Sequence, residues 1–185
     1  MNDREALREL LKQRSLHFGD FQLASGQRSS YYIDARKTTM SATGLVLVGR
    51  IGVGLIRELG WEAQGVGGLT MGADPVAYAI ARASIDLPPL IDGFSVRKAA
   101  KEHGIKRRIE GGFTGGMRVV VVEDVITSGS SALQAVEAVR AEGGSVVGVL
   151  AVVDREQGGA EAIRERCAVD VVSMTTISDL GVTAT

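Results

Sequence analysis

Along this chain, short runs in which almost every position is apolar alternate with stretches in which apolar residues recur every three or four positions. The runs "AQGVGGL" (63–69), "PPLIDGFSV" (88–96), "RVVVVED" (118–124), "SVVGVLAVVDR" (145–155) and "VDVVSMTT" (169–176) read as strands. Near-continuous Val, Ile and Leu is the pattern of strands covered on both faces. Between them, "DPVAYAIARAS" (74–84), "GSSALQAVEAVRAEG" (129–143) and the segment 159–166 have helical spacing, with Pro75 suited to a first turn. Strands and helices in strict succession predict an α/β fold, doubly wound around a mostly parallel central sheet.

The first forty residues follow a different rhythm. Leu7, Leu10 and Leu11 are spaced for a helix over 4–13, and "FQLASGQRSSYYID" (21–34) alternates and turns like a hairpin. A small N-terminal hood of helix and β-hairpin, about 1–40, is therefore expected. Ser41 is placed to cap the next helix, whose stripe of Leu45, Val48, Ile51, Gly52, Leu55 and Ile56 ends at Gly60.

One segment fits neither period. "RKAAKEHGIKRRIEGGFTGG", Arg97 to Gly116, is rich in Lys and Arg, carries His103 and closes on four glycines, at 111, 112, 115 and 116. It is too polar for a core and reads as a glycine-hinged loop. No linker or internal repeat divides the 185 residues, so a single domain, 1–185, is expected.

Charge narrows the partners. Lys plus Arg number 21 against 22 Asp plus Glu, a net charge of −1, which leaves no global field to draw nucleic acid or anionic lipid. A lone Cys167 excludes an internal disulfide framework and a multi-cysteine metal site. The N-terminus is charged, and no apolar run approaches the ~20 residues of a membrane span. The expectation is a cytoplasmic protein with neither nucleic acid nor membrane as partner.

The chemistry concentrates in "RVVVVEDVITSGSSA", Arg118 to Ala132. A buried strand delivers Glu123 and Asp124 to the sheet edge, and a Thr/Ser/Gly turn follows at the start of a helix. Backbone N–H groups and hydroxyls of Thr127, Ser128, Gly129, Ser130 and Ser131 can cradle a phosphate there. Acids would repel that phosphate if they entered the cradle, but acceptor-only groups one sugar ring away suit vicinal hydroxyls. A ribose 5-phosphate reconciles the two. The alternative is an ordinary strand followed by a capped helix. The turn is neither a Walker A loop nor GxGxxG.

"VVVVEDVITSGSSA" resembles the phosphoribosyl pyrophosphate signature of type I phosphoribosyltransferases. "FQLASGQRSSYYIDAR", "GGLTMGADPVA" and "FSVRKAAKEHGIKRRIEG" narrow the resemblance, in order and spacing, to the orotate phosphoribosyltransferase family. The resemblance implies the type I fold and transfer of ribosyl 5-phosphate from phosphoribosyl pyrophosphate to orotate. The products are orotidine 5′-monophosphate and pyrophosphate, a step of pyrimidine synthesis.

By resemblance, phosphoribosyl pyrophosphate is bound by Arg97, Lys98, Lys101 and His103 and by Glu123, Asp124, Val125, Ile126 and Thr127 through Ser131. Lys101 and Asp124 are the expected catalytic residues. Thr127 and Arg155 are expected to contact orotate, Arg155 at its carboxylate, with Tyr32 and Ile33 contributing backbone. Pairing of Arg155 with Asp154 is the competing reading. The family also implies Mg²⁺ held through substrate oxygens and water with no protein cage, and a homodimer whose mobile catalytic loop, about 97–116, is shared between subunits.

"GGLTMGADP" is similar to the family's pyrophosphate loop, which implies a cis non-proline peptide, with Leu69–Thr70 the candidate. Ala24 and Met71 stand where many relatives have lysine, and Lys106, Arg107 and Arg108 acquire no role. Two rivals remain at this level: a phosphoribosyltransferase for another base, and a nucleotide-sensing regulator that kept the fold.

Overall fold

The computed structural model describes residues 2–22, 26, 28–99 and 108–183. Helix α1 (Asp3–Arg14) opens the chain under a capping box, in which Asn2 accepts the Glu5 backbone N–H and the Glu5 carboxylate accepts that of Asn2. Strands β1 (Leu16–Gln22) and β2 (Arg28–Ile33) form an antiparallel hairpin separate from the main sheet. A short helix α2 (Arg36–Thr39) leads into α3 (Ala42–Glu58), where Ser41 Oγ accepts the Gly44 N–H as the expected N-cap.

The central sheet takes β3 (Gly65–Leu69), β4 (Asp92–Val96), β5 (Ile109–Gly111), β6 (Arg118–Ile126), β7 (Ser145–Asp154) and β8 (Val171–Thr176). Their spatial order is β5-β4-β3-β6-β7-β8, parallel throughout except for the antiparallel edge strand β5. Helices α4 (Ala73–Ala83), α5 (Ser130–Ala141) and α6 (Gly159–Cys167) make the crossovers, and a 3-10 turn, Ser178–Leu180, follows β8. The expected doubly wound architecture of mostly parallel strands is the one found.

Alternation along β6 explains the two cores. Val120 and Val122 pack on the face covered by α1, α3 and α4; Val119 and Val121 pack on the opposite face with α5 and α6. All four are fully buried, so β6 is the spine of the molecule. Fully burying a valine contributes about 1.5–3 kcal/mol, and the carboxyl end of this strand is correspondingly well fixed.

Several boundaries differ from the sequence pattern. β4 begins at Asp92, not at residue 88, because the cis Pro88–Pro89 pair has no N–H for a ladder and Ser84 Oγ takes the Ile91 N–H in a turn. β6 runs on to Ile126, since Val125 and Ile126 stay paired with Val153 and Asp154. Neither α2 nor β5 was expected. Three residues of edge strand are too short to show a period.

Candidate active site

At the carboxyl ends of β3, β6 and β7 a polar cleft of about 460 Å³ opens. Its walls are the end of β2 with Asp34 and Arg36, the turn Leu69–Gly72, Lys98, the pair Glu123 and Asp124, and Thr127, Ser131 and Arg155. Such strand ends are where parallel α/β sheets hold ligands. A smaller cavity of about 130 Å³ adjoins it, lined by Val125 and Ile126 and by Thr127, Ser128, Gly129, Ser130 and Ser131, with Glu123 at its edge.

The smaller cavity is lined by the Thr127–Ser131 turn that the sequence offered as an anion cradle. Gly129 has φ +77°, a left-handed conformation at the N-cap of α5 that a side chain disfavours. A Cβ there would also come within 2.7 Å of the Gly159 carbonyl oxygen. With no side-chain cap at this end of α5, the first-turn N–H groups are left for an anion.

The two acids share the cleft without sharing an environment. Asp124 is partly exposed, and its Oδ1 accepts the Val125 N–H at 2.9 Å. Glu123 is only 6 % exposed, and its Oε2 has no hydrogen-bond partner among the described residues. Burial, reinforced by the neighbouring negative Asp124, pushes the Glu123 carboxyl up to about 9. Consecutive strand residues point to opposite sides, which is why one acid is sunk and the other presented.

Asp34 and Arg36 were missed by sequence reasoning. The Arg36 guanidinium donates from Nε to Asp34 Oδ1 at 2.8 Å and from Nη2 to Oδ2 at 3.1 Å, and this fork holds the Asp34 carboxyl below its ordinary range. The available signal was the Asp-Ala-Arg spacing that ends "YYIDAR".

Arg155 stands one residue past β7, its N–H bonded to the Ile126 carbonyl at 3.0 Å. Its side chain is 7 % exposed, donates from Nε to the Tyr31 hydroxyl at 3.1 Å and lies over the Tyr31 ring, 4.8 Å from the centroid. Asp154 instead accepts the Glu156 N–H at 2.8 Å, so the competing Arg155–Asp154 pair does not form. Arg155 Nη2 is buried without a hydrogen-bond partner among the described residues.

Of the basic segment, Lys98 lines the cleft and Arg97 does not. The Arg97 guanidinium instead faces Glu110, 3.8 Å away. Arg97 N–H donates to the Arg108 carbonyl at 2.8 Å, and the Arg108 guanidinium returns to the Arg97 carbonyl at 3.3 Å. The ends of the loop are thus cross-tied, and Arg108 belongs to that tie. Lys101, His103, Lys106, Arg107 and Ala24 lie outside the described residues.

The cis peptide is one bond later than expected, at Thr70–Met71 and not at Leu69–Thr70. Leu69 still pairs with Val96, and the Thr70 N–H still donates to the Val96 carbonyl at 2.9 Å, so the ladder with β4 holds the earlier bond trans. Met71 projects at 62 % exposure on the cleft wall.

Comparison with known proteins agrees with this geometry. Residues 47–178 match the family described as "Phosphoribosyl transferase domain". The chain is 48 % identical over 183 residues to the orotate phosphoribosyltransferase of Aquifex aeolicus, covering 97 % of this chain and 98 % of that one. It superposes on the crystal structure of Mycobacterium tuberculosis orotate phosphoribosyltransferase in complex with phosphoribosyl diphosphate with a TM-score of 0.83 and 43 % identity, covering 98 % of this chain and 100 % of that one. For the same enzyme in complex with Fe(III) dicitrate the TM-score is 0.87 and the identity 46 %, at the same coverage. The chain belongs to the phosphoribosyltransferase family and, within it, to the orotate phosphoribosyltransferases, which make orotidine 5′-monophosphate in pyrimidine synthesis.

Proposed function

We propose that the cleft holds phosphoribosyl pyrophosphate with its 5-phosphate in the turn Thr127–Ser131, its ribose hydroxyls at Glu123 and Asp124, and its pyrophosphate between the Thr70–Gly72 turn and the cations of the loop. Orotate lies against Tyr32 and Ile33, meeting Thr127 and, through its carboxylate, Arg155. One observation carries this reading. The left-handed Gly129 cradle, the acid pair and the unpartnered Arg155 donor open onto adjoining cavities that share Glu123, Val125, Thr127 and Ser131 as walls.

In the transfer, the C1′–oxygen bond to pyrophosphate breaks and the bond from orotate N1 to C1′ forms. Positive charge gathers at C1′ and negative charge on the departing pyrophosphate. Asp124, partly exposed at the cleft, orients the ribose through its hydroxyls, and Lys98 and Lys101 offset the charge that leaves. His103 donates a hydrogen bond to the same group. The role of Arg97 is taken by the loop of a second copy.

The residues present fit Mg²⁺ carried in by substrate. Among the described residues no group of three or more His, Cys, Asp or Glu could cage an ion, while Asp124 stands beside where ribose hydroxyls and water would complete its shell. When bound, the ion neutralises pyrophosphate charge.

Homodimer formation is supported by the split between Lys98, which lines its own cleft, and Arg97, which turns from it. The seat of the second copy is the groove of about 420 Å³ between α3 and α4, where Val46 and Tyr78 are each 50 % exposed. Helix α4 begins at the cleft turn, so a copy seated along it lies beside this cleft. No helix of the described residues is long and apolar enough to cross a membrane.

The test combines purified protein, phosphoribosyl pyrophosphate, Mg²⁺ and each candidate base. Orotate absorbance falls, hypoxanthine and uracil remain, and Lys101→Ala lowers kcat at least tenfold. Consumption of another base with orotate untouched overturns the substrate, near-normal turnover of Lys101→Ala removes its role, and a monomeric mass in solution overturns the dimer.

A further inference from the structure

Tyr31 is 1 % exposed and does not line the cleft, yet it is the side chain that grips the residue assigned to orotate. Its hydroxyl accepts the Arg155 Nε–H at 3.1 Å, and its ring supports the guanidinium with Cζ 4.8 Å from the centroid. Among the described residues no carboxylate neutralises Arg155. Asp154, its neighbour in sequence, is occupied with the Glu156 N–H.

A buried guanidinium without a counter-ion is costly unless a ligand supplies one. An arginine side chain also has several rotatable bonds, so an unsupported one spreads its donors over many directions. Here one edge of the fork is spent on the Tyr31 hydroxyl, while Nη2 has no partner among the described residues. The ring below restricts tilting through the cation–π contact. Two contacts from one buried aromatic therefore fix the plane and the rotation of the guanidinium before any base arrives.

We propose that Tyr31 is a positioning residue for substrate selection: it locks the Arg155 guanidinium with its free N–H edge aimed at the carboxylate of the incoming pyrimidine, which makes the site prefer a carboxylated ring over its uncarboxylated counterpart. This rests on the reading of Arg155 as the carboxylate partner. Tyr31 itself touches no substrate. It lies on β2, in the hairpin far from Arg155 in sequence, so the hairpin also serves to brace the sheet's binding arginine.

The test is a double-mutant cycle of Tyr31→Phe and Arg155→Gln. KM for orotate, KM for phosphoribosyl pyrophosphate, kcat, the inhibition constant of uracil and the melting temperature are read for each protein. Tyr31→Phe keeps the ring and loses one hydrogen bond, so KM for orotate rises about threefold to tenfold. KM for phosphoribosyl pyrophosphate and the uracil constant stay within about twofold, and the effect vanishes in the Arg155→Gln background.

An unchanged orotate KM in Tyr31→Phe, or an equal rise in both backgrounds, overturns the positioning role while leaving Arg155 in place. An unchanged orotate KM in Arg155→Gln overturns the carboxylate reading and the proposal with it. Should Tyr31→Phe not fold, Arg155→Lys keeps the charge but removes the donor that Tyr31 accepts, and a wild-type orotate KM in that variant overturns the proposal.

Discussion

Glu142 Oε1 accepts the backbone N–H of Arg108 at 2.8 Å and that of Ile109 at 3.2 Å, binding the returning end of the basic segment to the C-cap of α5. A single carboxylate thus joins the C-terminal end of the helix that follows the Thr127–Ser131 turn to the root of the basic segment. Removing it frees two donors at the edge strand β5. Glu142→Ala is expected to cost about 1–3 kcal/mol, to lower Tm by several degrees and to raise KM for phosphoribosyl pyrophosphate severalfold. Glu142→Gln, which keeps an oxygen acceptor, recovers most of both. Calorimetry and steady-state kinetics check this, and an alanine variant with wild-type Tm and KM refutes it.

Gly72 separates stability from function. Its backbone is already helical, at φ −61° and ψ −41°, so alanine suits the main chain, but an added Cβ would stand 2.5 Å from Asp124 Oδ1. The carboxylate has to move. Gly72→Ala is therefore expected to melt within a degree or two of wild type while kcat/KM for phosphoribosyl pyrophosphate falls about tenfold to a hundredfold, the usual consequence of displacing a positioned group by an ångström. Unimpaired kinetics in a folded variant would show that Asp124 does not need its present position.

Burial of Glu123 carries a pH signature. Its folded-state value, about 9, lies above the ordinary 4.5. Below about pH 4.5 both folded and unfolded chains hold the proton, and the contribution to stability is fully present. Between about 4.5 and 9 the unfolded chain releases a proton that the folded chain keeps, so stability declines as pH rises through this window. Glu123→Gln has no such proton to lose. Urea midpoints at about pH 5 and pH 8.5 should diverge, with the glutamine variant gaining on wild type at the higher pH. Parallel profiles would mean that Glu123 is ionised in the folded protein.

The fold was readable because its strands are buried on both faces, and continuous apolar runs such as Val119–Val122 leave little alternative. The cavity at the Thr127–Ser131 turn was readable for a related reason: a glycine and four hydroxyl residues follow a buried strand, and the glycine takes the left-handed conformation. What stayed hidden depends on long-range geometry. Nothing local distinguishes Glu123 from Asp124, since their fates diverge only when β6 is packed between two helical layers. Tyr31 and Tyr32 are likewise adjacent and identical, yet one is buried beneath Arg155 and the other lines the cleft. The Thr70–Met71 bond was misjudged by one residue because the last rung of the β3–β4 ladder is set by the partner strand.

The cross-tie between Arg97 and Arg108 also sets a radius of action. Ten residues, 98–107, separate the two anchors. A tether pinned at both ends can extend by no more than half its contour, about 17 Å at roughly 3.4 Å per residue. Any neighbouring molecule whose catalytic pocket lies beyond that distance plus the length of one side chain from the knot is out of reach, whatever surface joins the two. The knot thereby restricts which pairings of subunits can be productive.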